Sequence, residues 1–197
     1  MIDSGLSIRD GLIVSEAGCC LSVCQHASPF YNERPESTPI DALVIHNISL
    51  PAGVFHGTCV NDLFLGCLDV AQDESLADLD GVEVSAHLFI RRNGEVHQFV
   101  PFHQRAWHAG VSSYEVNGVL REAWNDFSIG IEIEGLDDIP YTFRQYQSLI
   151  QVTQLLLKTY PIMLNDVVGH NDIAPGRKTD PGMAFDWSYF KAHLAMC

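Results

Sequence analysis

The segment that most constrains the fold is residues 127–134, F-S-I-G-I-E-I-E, in which apolar and polar side chains strictly alternate. Successive side chains of a strand point to opposite faces of a sheet, so the pattern predicts a strand with one apolar and one polar face. On the polar face, a serine and a glycine beside Glu132 and Glu134 leave room for another group to approach closely. The simplest interpretation of the strand alone is that it is half-solvated and that its glutamates are surface charges.

Other segments predict the elements that accompany this strand. Residues 42–46, A-L-V-I-H, are short and apolar and indicate a buried strand with functional groups at its exit. Asn93-Gly94 predicts a type I′ turn between two strands, with positive φ at both central residues. Helices are expected at about 58–66, at about 143–160 with Thr142 and Gln145 as a capping box, and after Asp186, and an exposed acidic loop at 69–83. These elements favour one α/β domain, residues 1–197, built on a single central sheet.

Composition excludes several classes of protein. A net charge of −14 argues against a general binder of nucleic acid or of anionic membranes, which needs a basic face. The chain has no apolar run of membrane-spanning length, and its N-terminus does not resemble a secretory signal. We therefore expect a cytoplasmic protein with reduced thiols. Cys19, Cys20 and Cys24 lack a matching Cys or His pair at zinc-finger spacing, so a metal knuckle is not expected there.

The chemistry of this chain is concentrated in the loop G-H-N-D-I-A-P-G-R-K-T-D-P-G, residues 169–182. Loops rich in Gly and Pro hold functional side chains on a rigid scaffold. His170 and Asp180 are good zinc ligands, and His46 is a third candidate, although a histidine that ends an apolar strand is often a hydrogen-bonded core residue. Three protein ligands leave one position for water, as catalytic zinc requires. With Glu132 as a general base and Lys178 to steady an oxyanion, the residues predict a metal hydrolase.

Five strings of residues resemble the AmpD family of 1,6-anhydro-N-acetylmuramyl-L-alanine amidases, within the wider type 2 amidase and peptidoglycan-recognition fold. They are V-I-H-N-I-S-L-P, S-A-H-L-F-I-R-R-N-G-E-V-H-Q-F-V-P-F, R-A-W-H-A-G-V-S, N-D-F-S-I-G-I-E-I-E-G and G-H-N-D-I-A-P-G-R-K-T-D-P-G. The resemblance covers about Tyr31 to Trp187, and residues 1–27 carry little of it. It implies a central mixed sheet flanked by helices, and a cytoplasmic role in cell-wall recycling.

The resemblance also implies roles for individual residues. One zinc ion is held by His46, His170 and Asp180, Glu132 activates the attacking water, and Lys178 stabilises the oxyanion. The bond cut is the amide between anhydro-muramic acid and L-alanine of a small muropeptide, by an enzyme expected to act as a monomer without nucleic-acid or membrane partners. The positions matching the family's substrate groove are Asn47, His87, Trp107 and His108.

Two departures from the family pattern concern peptide binding. Glu83 stands where a basic residue is common, and Ala123-Trp124 replaces a pair that often contains an arginine. Arg121 is the nearest substitute, so we include it among the candidate substrate-binding residues. Two alternatives remain open from the sequence. One is a non-catalytic peptidoglycan-fragment binding module of the same fold, and the other is an exported N-acetylmuramoyl-L-alanine amidase.

Overall fold

The structure, a computed structural model, describes residues 8–9, 12–15, 18–20, 22–116 and 118–194. Its strands, in chain order, are β1 (Ile8–Arg9), β2 (Leu12–Ile13), β3 (Cys24–Gln25), β4 (Tyr31–Glu33), β5 (Ala42–Ile48), β6 (Leu88–Ile90), β7 (Val96–Gln98), β8 (Gln104–Ala106), β9 (Ser113–Val116), β10 (Val119–Glu122), β11 (Ser128–Glu134) and β12 (Val167–Gly169). The α-helices are α1 (Cys59–Leu65), α2 (Phe143–Thr159), α3 (His170–Ile173) and α4 (Trp187–Leu194).

The central sheet is mixed and, within the described residues, has six strands in the order β12-β5-β11-β6-β7-β3. The strand predicted from the alternating segment is β11, which lies at the centre and runs parallel to both β5 and β6. Every residue of β11 is buried, so the half-solvated interpretation is wrong. Its two faces are both covered, as is usual for parallel strands.

Helices α2 and α4 cover one face of the sheet, and the functional residues lie on the other. The predicted capping box is confirmed, since the Thr142 hydroxyl accepts from the Gln145 N–H at 3.1 Å and the Gln145 side chain accepts from the Thr142 N–H at 3.0 Å. Asp186 caps α4, as predicted, by accepting from the N–H of Tyr189 at 2.8 Å. The apolar side chains of β11 pack in the cluster beneath α2, and they are Ile129, Ile131 and Ile133.

The turn between β6 and β7 differs from the sequence prediction. The carbonyl of Arg91 accepts from the N–H of Gly94 at 2.8 Å, and Arg91 also pairs with Glu95. The loop therefore contains three residues, and only its last, Gly94, has a positive φ, at 86°. A type I′ turn is wrong here because a three-residue loop needs the left-handed conformation at its final residue alone.

The acidic loop and the N-terminal segment have more structure than the sequence indicates. Two 3₁₀ turns, at Val70–Gln72 and Glu74–Leu79, lie in the acidic loop, which is largely exposed except for Leu76. At the other edge of the sheet, β3 pairs in parallel with β7, so part of the weakly matching segment 1–27 belongs to the central sheet. Within the part of the chain that the structure describes, no helix has both the length and the apolar character needed to cross a bilayer.

Candidate functional site

His46, His170 and Asp180 meet at the carboxyl ends of two neighbouring parallel strands. Because Gly169 at the end of β12 pairs with Ile45 of β5, the next residue along each strand brings His170 beside His46. Asp180 comes from the Gly- and Pro-rich loop, and its carbonyl accepts from the N–H of Asn171 at 2.9 Å, which fixes the loop against α3. The strand register and one loop contact therefore explain how residues 134 positions apart in sequence converge.

The three side chains have the spacing of a metal-binding set. Oδ2 of Asp180 lies 3.1 Å from Nδ1 of His46 and 3.0 Å from Nδ1 of His170. Tetrahedral zinc with bonds of about 2.0–2.2 Å to nitrogen and oxygen holds its ligand atoms roughly 3.3–3.6 Å apart, so small adjustments suffice. Both histidines are buried, and 14% of the Asp180 side chain is exposed, so a ligand can reach the cluster from one side.

The charge states of these groups also suit a cation. Burial lowers the pKa of His46 to about 4, against the opposing hydrogen bond to Asp180, so the imidazole is neutral and has a lone pair to offer. Burial raises the pKa of Asp180, but the hydrogen bonds with His170 and His46 outweigh it and hold the carboxyl well below its usual range. Neutral imidazoles and an ionised carboxylate are the forms that bind zinc.

A second set of hydrogen bonds orients the two histidines. Nε2 of His170 lies 3.3 Å from the carbonyl of Ala109, and Nε2 of His46 lies 3.0 Å from Nδ1 of His108. If a metal replaced the hydrogen bonds to Asp180, each Nε2 would carry the ring hydrogen and donate it, and each Nδ1 would keep its lone pair for the metal. His108 in turn faces Ser128 through Nε2 at 3.2 Å, and the Ser128 hydroxyl donates to the carbonyl of Trp124 at 2.5 Å.

Gly130 makes this arrangement possible. A β-carbon at Gly130 would lie 2.4 Å from Cγ of His108, so the ring occupies the space that any other residue would fill. On its far side, the N–H of Gly130 donates to Nδ1 of the fully buried His87 at 3.0 Å. The sequence prediction that this face of β11 admits a close neighbour is confirmed, and the neighbour is a histidine that orients His46.

We expect Gly130→Ala to weaken metal binding without touching a ligand. Because the added methyl group displaces the His108 ring, His46 loses the acceptor that fixes its orientation, and zinc affinity falls about 10–100-fold. Chelator competition with the purified protein measures this directly. Gly57→Ala is the matched control, since the nearest atom to its β-carbon is 4.0 Å away, and it should keep wild-type affinity. Equal affinities in the two variants would contradict the orienting role of His108.

Glu132 lies beside His46 in the register of β11 and β5 and points to the same cavity. Only 9% of the residue is exposed, and its Oε2 atom is buried without a hydrogen-bond partner. Burial, reinforced by the negative charge of Asp180 and opposed by Lys178, raises the pKa of Glu132 well above its ordinary value. A buried carboxylate with a free oxygen and a raised pKa is equipped to accept a proton.

The cluster opens into a cavity of about 310 Å³ with mixed lining. Polar groups of the cluster lie on one side, while Leu63, Phe64 and Val84 form apolar walls. A second, wider groove of about 720 Å³ shares Asn47, Lys178 and Asp180 with it. Because the cavity and the groove meet at these three residues, an elongated substrate could occupy both. Polar groups around Asp180 can act on reacting atoms, whereas the apolar walls can only hold a substrate in place. We therefore expect the reaction to take place beside Asp180.

The structure brings three of the five predicted substrate-binding residues to this cavity. Asn47 and Trp107 line it, with the Asn47 amide donating to Asp137 at 2.8 Å and the Trp107 indole N–H donating to Asn32 at 2.9 Å. His108 also lines it, but its ring nitrogens are engaged with His46 and Ser128.

The other two predicted residues lie elsewhere. His87 is completely buried behind His108, so a direct contact between its side chain and substrate is not what the structure shows. Arg121, on the β9–β10 hairpin, donates to Asp41 at 2.6 Å and lies 3.8 Å above the Phe127 ring. Its guanidinium is therefore engaged outside the cavity, and Arg121 is not among the residues that line it.

Arg34 supports the site from behind, through contacts with His87 and Ser128, and was not predicted from the sequence. Its partly buried guanidinium donates to the carbonyls of Phe102, Asp126 and Ser128 and faces Nε2 of His87 at 3.1 Å. Burial lowers its pKa to about 10, so it stays charged at neutral pH. An isolated arginine outside any motif carries no sequence signal of this role, because its partners are backbone atoms from distant segments.

Comparisons with known proteins agree with this geometry. The family model of N-acetylmuramoyl-L-alanine amidases, Amidase_2, matches residues 36–183. The chain is 50% identical over 169 residues to the 1,6-anhydro-N-acetylmuramyl-L-alanine amidase AmpD of Salmonella typhimurium strain SL1344, covering 86% of this chain and 88% of the relative. A crystal structure of a selenomethionine AmpD derivative superposes with a TM-score of 0.86 at 48% identity, covering 90% of this chain and 97% of that one.

A more distant solved structure contains a ligand. It is the complex of the N-acetylmuramyl-L-alanine amidase AmiD from E. coli with anhydro-N-acetylmuramic acid-L-Ala-D-gamma-Glu-L-Lys. It matches with a TM-score of 0.56 and 28% identity, covering 96% of this chain and 65% of that chain.

Proposed function

Because this chain belongs to the AmpD family of N-acetylmuramoyl-L-alanine amidases, we propose that His46, His170 and Asp180 hold one zinc ion at its catalytic centre. The chain is an amidase that hydrolyses the amide between 1,6-anhydro-N-acetylmuramic acid and L-alanine. The observation that carries the zinc proposal is the convergence of two Nδ1 atoms on Oδ2 of Asp180, beside a buried glutamate with a free oxygen.

Zinc, when bound, would polarise the scissile carbonyl and lower the pKa of a water in its open position to about 7. We assign the proton transfers to Glu132. Its free Oε2 accepts a proton from the attacking water, and the same oxygen returns it to the nitrogen of L-alanine as the carbon–nitrogen bond breaks. Its raised pKa favours the first of these transfers, because a more basic carboxylate accepts a proton more readily.

We assign Lys178 to the oxyanion. It lines both the cavity and the wider groove, on the same loop as Asp180, and its charge acts on the Glu132 carboxyl. An ammonium ion at that place offsets the negative charge that develops on the carbonyl oxygen during attack. Asn47 and Trp107 are the proposed substrate contacts, with the indole offering an apolar face to the sugar.

The family supports proposals for the substrate class and the location. A muropeptide with an anhydro-muramic acid end is the proposed partner, as in the ligand bound to the AmiD relative. The resemblance to recycling amidases supports a place in the cytoplasm and a monomeric enzyme. A binding module of the same fold typically lacks part of the ligand set, whereas this chain presents all three candidate ligands together with the glutamate and the lysine.

The test is mass spectrometry of anhydro-muramyl-tripeptide incubated with purified protein, with and without a zinc chelator. We expect release of intact tripeptide and free anhydro-muramic acid, stopped by the chelator and restored by added zinc. Cleavage that persists after elemental analysis confirms metal removal would refute the zinc centre. Absence of cleavage by zinc-loaded protein would favour the binding module, and cleavage of polymeric wall material alone would favour the exported amidase.

A further inference from the structure

A second cluster of metal-ligand side chains lies at the edge of the central sheet. Cys24 of β3 pairs in register with His97 of β7, so their side chains project from the same face. Glu95 precedes β7 by one position and lies two residues before His97, which places it on that face as well. One candidate ligand atom from each of the three residues lies within 4.8 Å of the others.

Two distances to the Glu95 carboxylate are compatible with a zinc site. Sγ of Cys24 lies 3.5 Å from Oε1 of Glu95, and Nε2 of His97 lies 3.4 Å from Oε2 of the same carboxylate. Zinc bonds of about 2.0–2.3 Å in tetrahedral geometry place ligand atoms roughly 3.3–3.8 Å apart. Thiolate, imidazole and carboxylate are also the three ligand types that zinc prefers, and they leave a fourth position for water.

His97 is the strongest reason to consider this cluster a binding site. It is only 6% exposed, and its buried Nε2 atom makes no hydrogen bond but faces Oε2 of Glu95 at 3.4 Å, within the cluster. On the opposite side of the ring, Nδ1 lies 2.9 Å from Nε2 of His26, closer than the Asn61 amide at 3.4 Å. When Nδ1–H donates to His26, the lone pair of Nε2 is left facing Cys24 and Glu95, as for a metal-bound histidine.

This cluster is separate from the catalytic one. Glu132, Phe89 and His97 occupy one row across β11, β6 and β7, and all three project from the same face of the sheet. Since neighbouring strands lie about 4.8 Å apart, His97 is roughly 10 Å from Glu132, with the Phe89 ring between them. No residue of the His46, His170 and Asp180 set belongs to the second cluster.

We propose that Cys24, Glu95 and His97 form a second zinc site, which fastens the N-terminal strand β3 to the edge of the sheet. The pairing of β3 with β7 covers two residues on each strand, so a shared ion adds substantially to the attachment. No sequence motif predicts this site, because Cys24 meets His97 through strand pairing rather than through the close spacing of a zinc knuckle.

Cys24 would bind the ion as a thiolate. Metal binding breaks the S–H bond, forms the metal–sulfur bond and releases the proton to solvent. The bound ion should raise the melting temperature, because it binds the folded chain more tightly than the unfolded one.

Cobalt(II) substitution tests the proposal. A thiolate ligand gives cobalt(II) a charge-transfer absorption in the near ultraviolet that nitrogen and oxygen ligands do not give, and the catalytic cluster contains no cysteine. We expect wild-type protein to bind about two cobalt ions per chain and to show this absorption. Cys24→Ser should bind about one ion and lose the absorption, while hydrolysis of anhydro-muramyl-tripeptide by its zinc form continues at the wild-type rate.

Cys67→Ser is the matched control. Cys67 is also an exposed cysteine beside a carboxylate, with Sγ 3.9 Å from Oδ1 of Asp62, but it belongs to neither metal-ligand group found among the described residues. It should keep both ions and the absorption. Glu95→Gln, at a largely exposed position, should weaken the second ion without unfolding the chain. An absorption that is missing from wild type, survives in Cys24→Ser or disappears in Cys67→Ser overturns the site.

Discussion

Asp180→Ala is expected to cost the catalytic centre its zinc. Oδ2 of Asp180 is the atom to which both histidine Nδ1 atoms point, at 3.1 and 3.0 Å, and the substitution removes it together with its negative charge. Mutation of an outer partner of a metal ligand lowers affinity about 10–100-fold, so loss of a ligand should exceed about 100-fold. Elemental analysis after dialysis, together with chelator competition, measures the loss.

Asp138→Ala is the matched control for this experiment. Asp138 is an exposed carboxylate in the same wide groove, and it belongs to neither metal-ligand group of the described chain. Its replacement changes the net charge by the same amount and should leave zinc content unchanged. Full zinc occupancy in Asp180→Ala would remove Asp180 from the ligand set, and equal losses in the two variants would indicate a general effect of charge. The cobalt absorption assigned to Cys24 should persist in Asp180→Ala, which separates the two sites.

The sequence predicts well those features that depend on local periodicity. The strand at 127–134, the helix that begins after Thr142 and the cap at Asp186 each rest on side chains a few positions apart, and the structure confirms all three. The type I′ turn is wrong although Asn-Gly is a strong local signal. The number of residues in that loop is set by the pairing of Arg91 with Glu95, which depends on both strands.

Features that depend on register across the sheet could not be predicted. The alternation of β11 identifies its two faces but cannot show that β5 and β6 flank it in parallel. The central position of β11 buries Glu132, which is therefore a desolvated base and not a surface charge. Arg121 lies near Ala123-Trp124 in sequence, but the β9–β10 hairpin turns it towards Asp41. The meeting of Cys24 with His97 likewise exists only in the register of β3 with β7.

Glu132→Gln should abolish most catalysis and at the same time stabilise the metal-free protein at neutral pH. Loss of a general acid–base group costs about 10²–10⁴-fold in turnover. The amide keeps the size of the side chain and is not a zinc ligand here, so zinc content should match wild type. Turnover close to that of wild type, at equal zinc content, would refute the assignment of Glu132 as the base.

The stability effect follows from the direction of the pKa shift. Burial raises the pKa of Glu132 in the folded state above its value in the unfolded chain, so the folded state binds this proton more tightly. In wild type, the contribution of Glu132 to the free energy of unfolding is therefore most favourable below the pKa of glutamate in the unfolded chain, about 4.3. This contribution is lost as pH rises from there towards the pKa of Glu132 in the folded state. Glu132→Gln has no proton to lose, so its advantage in free energy of unfolding should grow over that range and then level off.

Glu134→Gln separates this effect from the general consequence of replacing a buried glutamate. Glu134 lies two residues further along the same strand and face and is 2% exposed, but its oxygens accept from the N–H groups of His56 at 2.6 Å and Arg92 at 2.8 Å. Hydrogen bonds to a charged group are worth about 1.5–3 kcal/mol each, so this variant should lose stability while turnover stays within about tenfold. Denaturant unfolding from pH 4 to 8, with metal removed by a chelator, compares the free energy of unfolding of each variant with that of wild type. Opposite signs at neutral pH would establish that β11 carries one carboxylate held for structure and one left unpaired for chemistry, and equal signs would contradict it.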